Sequence, residues 1–211
     1  MDIAAPLPPS RVRSISLIAG DLALDFVNTE SGRGLASRQD HLQAPLDVTD
    51  WLVHAGTLGD GEAAGLRARV ERDGAFGAAL LDQARHLRED IHAIGAAIAR
   101  RTSPPAGALG NLAATHARCI ACATLAPRKA RRQWRWSVGV TPLEGALGPV
   151  ALAAVTLLTD RDPDRIKECG GAGCGWLFYD ASKNSRRRWC EMEICGNRAK
   201  QRRRATRSRG G

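Results

Sequence analysis

Four cysteines near the C-terminus have the type and spacing to hold a metal: Cys169-x4-Cys174-x15-Cys190-x4-Cys195. Zinc takes four ligands in a tetrahedron and accepts thiolates readily. Two cysteine pairs, each in a tight turn and brought together by the fold, supply that set. Gly170, Gly171, Gly173 and Gly175 surround the first pair and allow sharp turns there. Trp176, Leu177, Phe178 and Tyr179 follow and read as a strand whose aromatic faces cover the site. A module of about 45 residues gains too little from apolar burial to fold by itself. A bound zinc supplies roughly 10–16 kcal/mol of apparent free energy. Two disulfides are the competing reading, but they belong to an oxidising compartment. The Pro-rich stretch Met1–Ser10 lacks the basic-then-apolar order of a secretory signal, which favours zinc and a cytoplasmic protein. Four thiolates fill the tetrahedron, whereas a catalytic zinc keeps a position open. The ion is therefore expected to be structural, and the chain is not expected to be an enzyme.

The charge lies beside the cysteines. After Ala181 there are eleven Lys and Arg against Glu191 and Glu193, so this tail carries the whole net charge of +9 and the preceding residues balance to zero. A neutral body with a basic tail implies a polyanionic partner, with nucleic acid first and an anionic membrane surface second. Arg186, Arg187 and Arg188 form one cluster. A second runs through Asn197, Arg198, Lys200, Gln201, Arg202, Arg203, Arg204 and Arg207. Cys190 and Cys195 would point about 140° apart on one continuous helix, so Cys190 is expected in a turn and Cys195 at a helix start. The helix beyond has no apolar face, and a polyanion would stabilise it. Arg198, Gln201 and Arg202 share one side and suit bidentate contacts with guanine and adenine edges. Lys200, Arg203, Arg204 and Arg207 suit phosphates. Asn197 could contact a base or brace the site. Trp189 is expected in the core. Sequence-neutral phosphate binding remains the plainer alternative.

The elements that must position these groups are mainly helical. Gly20–Thr29 reads as a short helix capped by Asp21, Asp47–His54 as a second capped by Asp47, and Gly61–Arg72 as a third. Leu80, Ala84, Leu87, Ile91, Ile94 and Ile98 lay one stripe along a helix over residues 75–101. Ala108–Leu125 suits a helix and Gln133–Val140 a strand. Thr141-Pro142-Leu143-Glu144 starts a helix running to about Thr159. The segment between Thr29 and Pro45 reads as loop, and residues 1–13 as a frayed leader. The resulting fold class is mainly α with a small β component: a helical N-terminal domain over residues 14–160, then a zinc-ribbon-like finger with a basic helix over residues 165–207. No apolar run reaches the roughly 18 residues needed to cross a bilayer.

Other candidates carry less. Cys119 and Cys122 sit in an Ala-rich helical pattern and read as small residues on one helix face. His41, His54, His86, His92 and His116 form no metal-protease pair, and no nucleophile elbow or phosphate loop is present. Asp25 and Asn28 suit hydrogen bonding within the fold better than a pocket. Arg128, Lys129, Arg131, Arg132 and Arg135 read as a solvated basic loop.

Cys195-Gly196-Asn197-Arg198, after Trp189-Cys190 and a basic run, resembles the signature of the CGNR zinc finger family. Cys169, Cys174, Trp176, Leu177 and Phe178 extend that likeness over about residues 165–207. Upstream, Leu22-Ala23-Leu24-Asp25-Phe26-Val27-Asn28-Thr29 and the strand and helix from Trp134 to Leu158 resemble the ABATE domain that precedes this finger in bacteria. The resemblance implies a stress-induced transcription regulator whose finger binds DNA rather than RNA. By architecture, the N-terminal domain would sense a small-molecule effector or form a homodimer. The alternative is an RNA- or protein-binding module shaped by its zinc.

Overall fold

The computed structural model describes residues 11–208. The leader Met1–Ser10 and Arg209 lie outside the described residues. Residues Arg11–Ser14 form a short 3-10 turn that buries Val12, so the end of the expected leader belongs to the core.

Helix α1, Leu22–Val27, starts where Asp21 accepts a hydrogen bond from the Ala23 amide, as an N-cap does. Helix α2, Pro45–His54, begins earlier than its sequence suggests. Asp47 lies inside it and reaches back to accept from the amides of Gln43 and Ala44. Helix α3 is Asp60–Arg72 and α4 is Gly74–Ala99. The α4 stripe of Leu80, Ala84, Leu87, Ile91 and Ile94 is buried, as the periodicity requires. Phe26 of α1 meets Trp51 of α2 edge-on, with ring centroids 4.8 Å apart.

Helix α5 is shorter than expected, Ala106–Ala121. Residues Thr124–Arg128 (β3) pair antiparallel with Arg131–Arg135 (β4), in a hairpin whose turn puts Lys129 at positive φ. Strand pairing outweighs the Ala-rich helical pattern there, and the anticipated strand moves a few residues earlier. Helix α6, Pro142–Thr159, starts at Thr141 as expected, although the threonine hydroxyl makes no cap. It corrects the bilayer estimate: its 18 residues have a mean hydropathy of 1.4. It packs against α1 and α5 and buries Leu147, Val150, Ala151, Ala154 and Leu157.

The last elements do not stand apart from this body. Strand β5, Ile166–Glu168, pairs antiparallel with β6, Leu177–Tyr179, and the pair lies across α1 and α4. Ile166, Leu177 and Phe178 are buried in the same core as Leu24 and Ile94. Gly95 on α4 makes the approach close enough: a Cβ there would sit 2.7 Å from Leu177 Cδ1. Asn28, at the end of α1, donates to the Leu177 carbonyl at 2.9 Å and accepts from its amide at 3.0 Å. The Tyr179 amide donates to Ala19 O at 2.7 Å. Arg100 pairs with Glu168, and Arg161 pairs with Asp21 while lying 3.5 Å over the Tyr179 ring. The segment 160–164 separates the two regions along the chain, but they share one core.

A buried charge network fixes the segment after α1. Glu30 starts β1 (Glu30–Ser31), which pairs with β2 (Gln39–Asp40). Its fully buried carboxylate sits 2.9 Å from Arg33 and 3.3 Å from Arg88, and also pairs with Arg38. Arg88, itself 2% exposed, forks onto Asp40 at 2.6 and 2.9 Å. Arg33 forks onto Glu89 at 2.7 and 3.1 Å. Burial pushes the Glu89 carboxyl up, but Arg33 and Arg88 outweigh it and hold it at about 2.

Two outcomes test this packing. Asn28→Ala leaves the Leu177 amide and carbonyl buried without partners and should cost about 2–4 kcal/mol in urea unfolding. An unchanged midpoint would mean the pair does not bind the two regions together. His92 on α4 is pushed down to about 4, by burial first and the Arg33 charge second. The unfolded chain protonates this ring near the ordinary 6.5 while the folded chain resists. Stability should therefore fall as pH drops from about 6.5 towards 4, and His92→Gln should flatten that fall in zinc-saturated protein.

Candidate metal centre

The first cysteine pair sits on a knuckle between two strands. Cys169 follows β5 and Cys174 precedes β6. The knuckle closes through the Cys169 amide to Trp176 O at 2.8 Å and the Cys174 amide to Gly171 O at 3.0 Å. Gly170 donates to Arg188 O at 2.9 Å, which brings the second pair alongside. Cys190 ends that stretch. One π-helical turn, Met192–Gly196, then carries Cys195, whose amide donates to Glu191 O at 3.0 Å.

All four sulfurs lie within 4.8 Å of one another. Cys174 and Cys190 are 3.7 Å apart, and Cys190 and Cys195 are 3.6 Å apart. Zinc–sulfur bonds of about 2.3 Å in a tetrahedron place the sulfurs about 3.8 Å apart. A disulfide needs about 2.05 Å. The four thiols are free, and they are positioned to bind one zinc ion. Amides of Gly171 and Cys190 point at Cys169 Sγ from 3.4 and 3.3 Å, which favours its thiolate. Hydrogen bonds from the Cys174 and Cys190 thiols are the larger cause, and together these donors hold Cys169 well below the usual thiol range. The hydrogen bond to Cys169 pushes Cys174 and Cys190 up, and burial pushes Cys195 up. Four thiolates this close repel one another, and a divalent cation is what lets all four ionise.

The N-terminal body completes the knuckle. Gly32 donates its amide to Cys174 O at 3.1 Å. Gly173 has φ +73°, and a Cβ on it would lie 2.3 Å from Leu35 Cγ, so glycine alone fits. The Trp176 indole donates to Ser31 Oγ at 3.2 Å, and Ser31 faces His41 Nε2 at 3.1 Å. Phe178 lies under Arg187 and Tyr179 under Arg161, and both are buried. Trp176 and Trp189 are half-buried beside the site.

The basic residues separate into two kinds. Arg186 and Arg188 are exposed, with Arg188 lying 5.6 Å over the Trp189 ring. Arg187, expected with them in the nucleic-acid set, turns inward. Its guanidinium donates to Trp189 O and Ile18 O, both at 3.0 Å, and to Cys190 O, and it covers Phe178 at 4.4 Å. Asn197 donates to Glu193 O at 2.9 Å and so braces the π turn. Beyond it runs α7, Asn197–Ser208. Arg198, Lys200, Gln201, Arg202 and Arg204 are exposed along it. Arg203 and Arg207 belong to the same helix, and their side chains lie outside the described residues. Sequence reading missed Asp180, which is fully buried. It accepts from the amides of Ser182 and Arg187 and from Lys167 at 2.6 Å, ordering the basic loop between them. Burial pushes its carboxyl up, yet these donors win and hold it well below the usual carboxylate range.

Two family models match the chain in succession. The ABATE model, described as "Putative stress-induced transcription regulator", matches residues 20–161, which is 142 of the 211 residues. The chain belongs to the ABATE family. Downstream of the ABATE region, the CGNR zinc finger model matches residues 165–208 and takes in all four cysteines. No curated protein matches the chain. Asp25 and Asn28 of the ABATE region serve the fold: Asp25 accepts from the Ala19 amide, and Asn28 holds the finger strand. Cys119 is buried, and burial pushes its thiol up to about 11, as suits an inert core group.

Stripping zinc with a strong chelator should expose amides of residues 169–196 to hydrogen exchange, together with those of the Gly32–Leu35 loop docked on the knuckle. Cys174→Ser should retain less than one zinc per chain. Full protection after chelation would show that the metal is dispensable to the fold.

Proposed function

We propose that the chain is a zinc-dependent DNA-binding protein acting in bacterial transcriptional regulation in the cytoplasm, with α7 as its reading helix. The observation that carries this reading is the exit of α7 from the metal site. A single braced turn links Cys195 to Arg198, and the described side chains beyond are exposed apart from the half-buried Ala199. A helix this basic has no apolar stripe to pack, and the exposed Arg198, Lys200, Arg202 and Arg204 suit an anionic partner. Arg198, Gln201 and Arg202, spaced three and four apart, lie on one side for base edges, while Lys200 and Arg204 flank them for phosphates. Arg186 and Arg188 add exposed charge next to the site. The zinc holds the turn in place and takes no part in turnover, since four thiolates leave it no open position.

The test is selection of bound sequences from a random duplex pool, using zinc-loaded full-length protein at about 150 mM salt, where weak phosphate binding is suppressed. An enriched motif should emerge and vanish with Cys195→Ser. Arg198→Ala should lose about 1–3 kcal/mol of preference at one base position. Arg204→Ala should weaken all sequences alike and shallow the salt dependence by about one charge. Uniform loss in both variants would remove base reading by Arg198. Preferential binding of single-stranded RNA loops would replace DNA with RNA as the partner.

A further inference from the structure

A groove of about 610 Å³ runs between the ABATE region and the finger, with the cysteine site in one wall. That volume is in the range of small-molecule sites. It is lined by Ser14–Ser16, Ser31 and Leu35 from the N-terminal body and by Trp176, Trp189 and the start of α7 from the finger. Its body is apolar: Ile15, Leu35, Ile194 and Ala199 face it along with the two tryptophans. Its charge is lopsided: among the described residues, Arg188, Arg198 and Arg202 line it against one acid, Glu191. Ile194 is 45% exposed, a large apolar side chain left to solvent beside these arginines.

We propose that this groove binds a small amphipathic anion: an aromatic or aliphatic body against the lining tryptophans and Ile15, and a carboxylate, sulfonate or phosphate head on Arg198 and Arg202. The two arginines are one turn apart on α7, so both can reach one head group. The tryptophans and Ile15 supply an apolar bed for the body, and the lining serines suit a polar edge. On the DNA-binding reading above, and only on it, such a ligand would withdraw Arg198 and Arg202 from nucleic acid. Binding of the anion itself does not rest on that reading.

The experiment titrates zinc-loaded full-length protein with anilinonaphthalene sulfonate, without nucleic acid, and follows probe fluorescence under direct excitation of the probe. One site per chain is expected, and N-phenylnaphthylamine, the same body without its charge, should bind about tenfold more weakly. Arg198→Ala and Arg202→Ala should each weaken the sulfonate by about tenfold while leaving the neutral probe unchanged. Ala199→Trp fills the groove from the helix side and Ser16→Trp from the other. Either should abolish the site while zinc content and circular dichroism stay at parental values, and the pair guards against one variant misfolding. Trp134→Ser, on the exposed hairpin, should change nothing. The proposal is overturned if both filling variants bind like the parent, if Trp134→Ser removes the signal, or if the neutral probe binds as tightly as the anion. A negative result here leaves selection from the duplex pool unaffected.

Discussion

The side-chain amide of Asn28 closes two hydrogen bonds on the backbone of Leu177, and the rest of the arrangement is built around that pairing. The amide and carbonyl at the start of β6 would otherwise be buried against helices without a partner, because its strand has a neighbour on one side only. Asn28 supplies the missing edge. With β6 held to α1, β5 falls across α4, Leu177 enters the slot that Gly95 leaves open, and the strand ends point Cys169 and Cys174 towards each other. The metal site thus inherits its placement from a contact on the far side of the strand.

The second constraint is electrostatic. Glu30 and Arg88 lie in the core, where an unpaired charge is costly, so each must find partners and each limits where the chain can go. Together with Arg33, Asp40 and Glu89 they fix the loop that sits on the knuckle. The hydrophobic core contributes more of the stability, but it is non-directional and could not set that loop to within a hydrogen bond of Cys174. The paired charges give the docking its register.

Much of this was legible in the residues. The cysteine spacing identified the ligand set, because tetrahedral thiolate chemistry leaves few other uses for two such pairs. The stripe on α4, the Asp21 cap and the Thr141-Pro142 start named three helices through local rules. What was hidden depends on contacts between distant segments. Nothing local marks Arg187 as different from Arg186 and Arg188; only the fold shows three backbone carbonyls converging on it. The β3–β4 hairpin was hidden by the Ala-rich pattern before it, since strand pairing is decided by the partner strand. Gly32 and Gly34 looked like ordinary loop glycines because the knuckle they meet is far along the sequence.

Only three residues lie between the two family matches, yet the knuckle leans on Gly32 and Leu35 and the strand leans on Asn28. A finger transplanted from a relative at that seam would arrive without its counterpart surface. Recombination that preserves function in this architecture has to carry residues 28–35 together with residues 165–196. The unit of inheritance is then discontinuous in sequence, a patch of the body travelling with a finger encoded more than a hundred residues later.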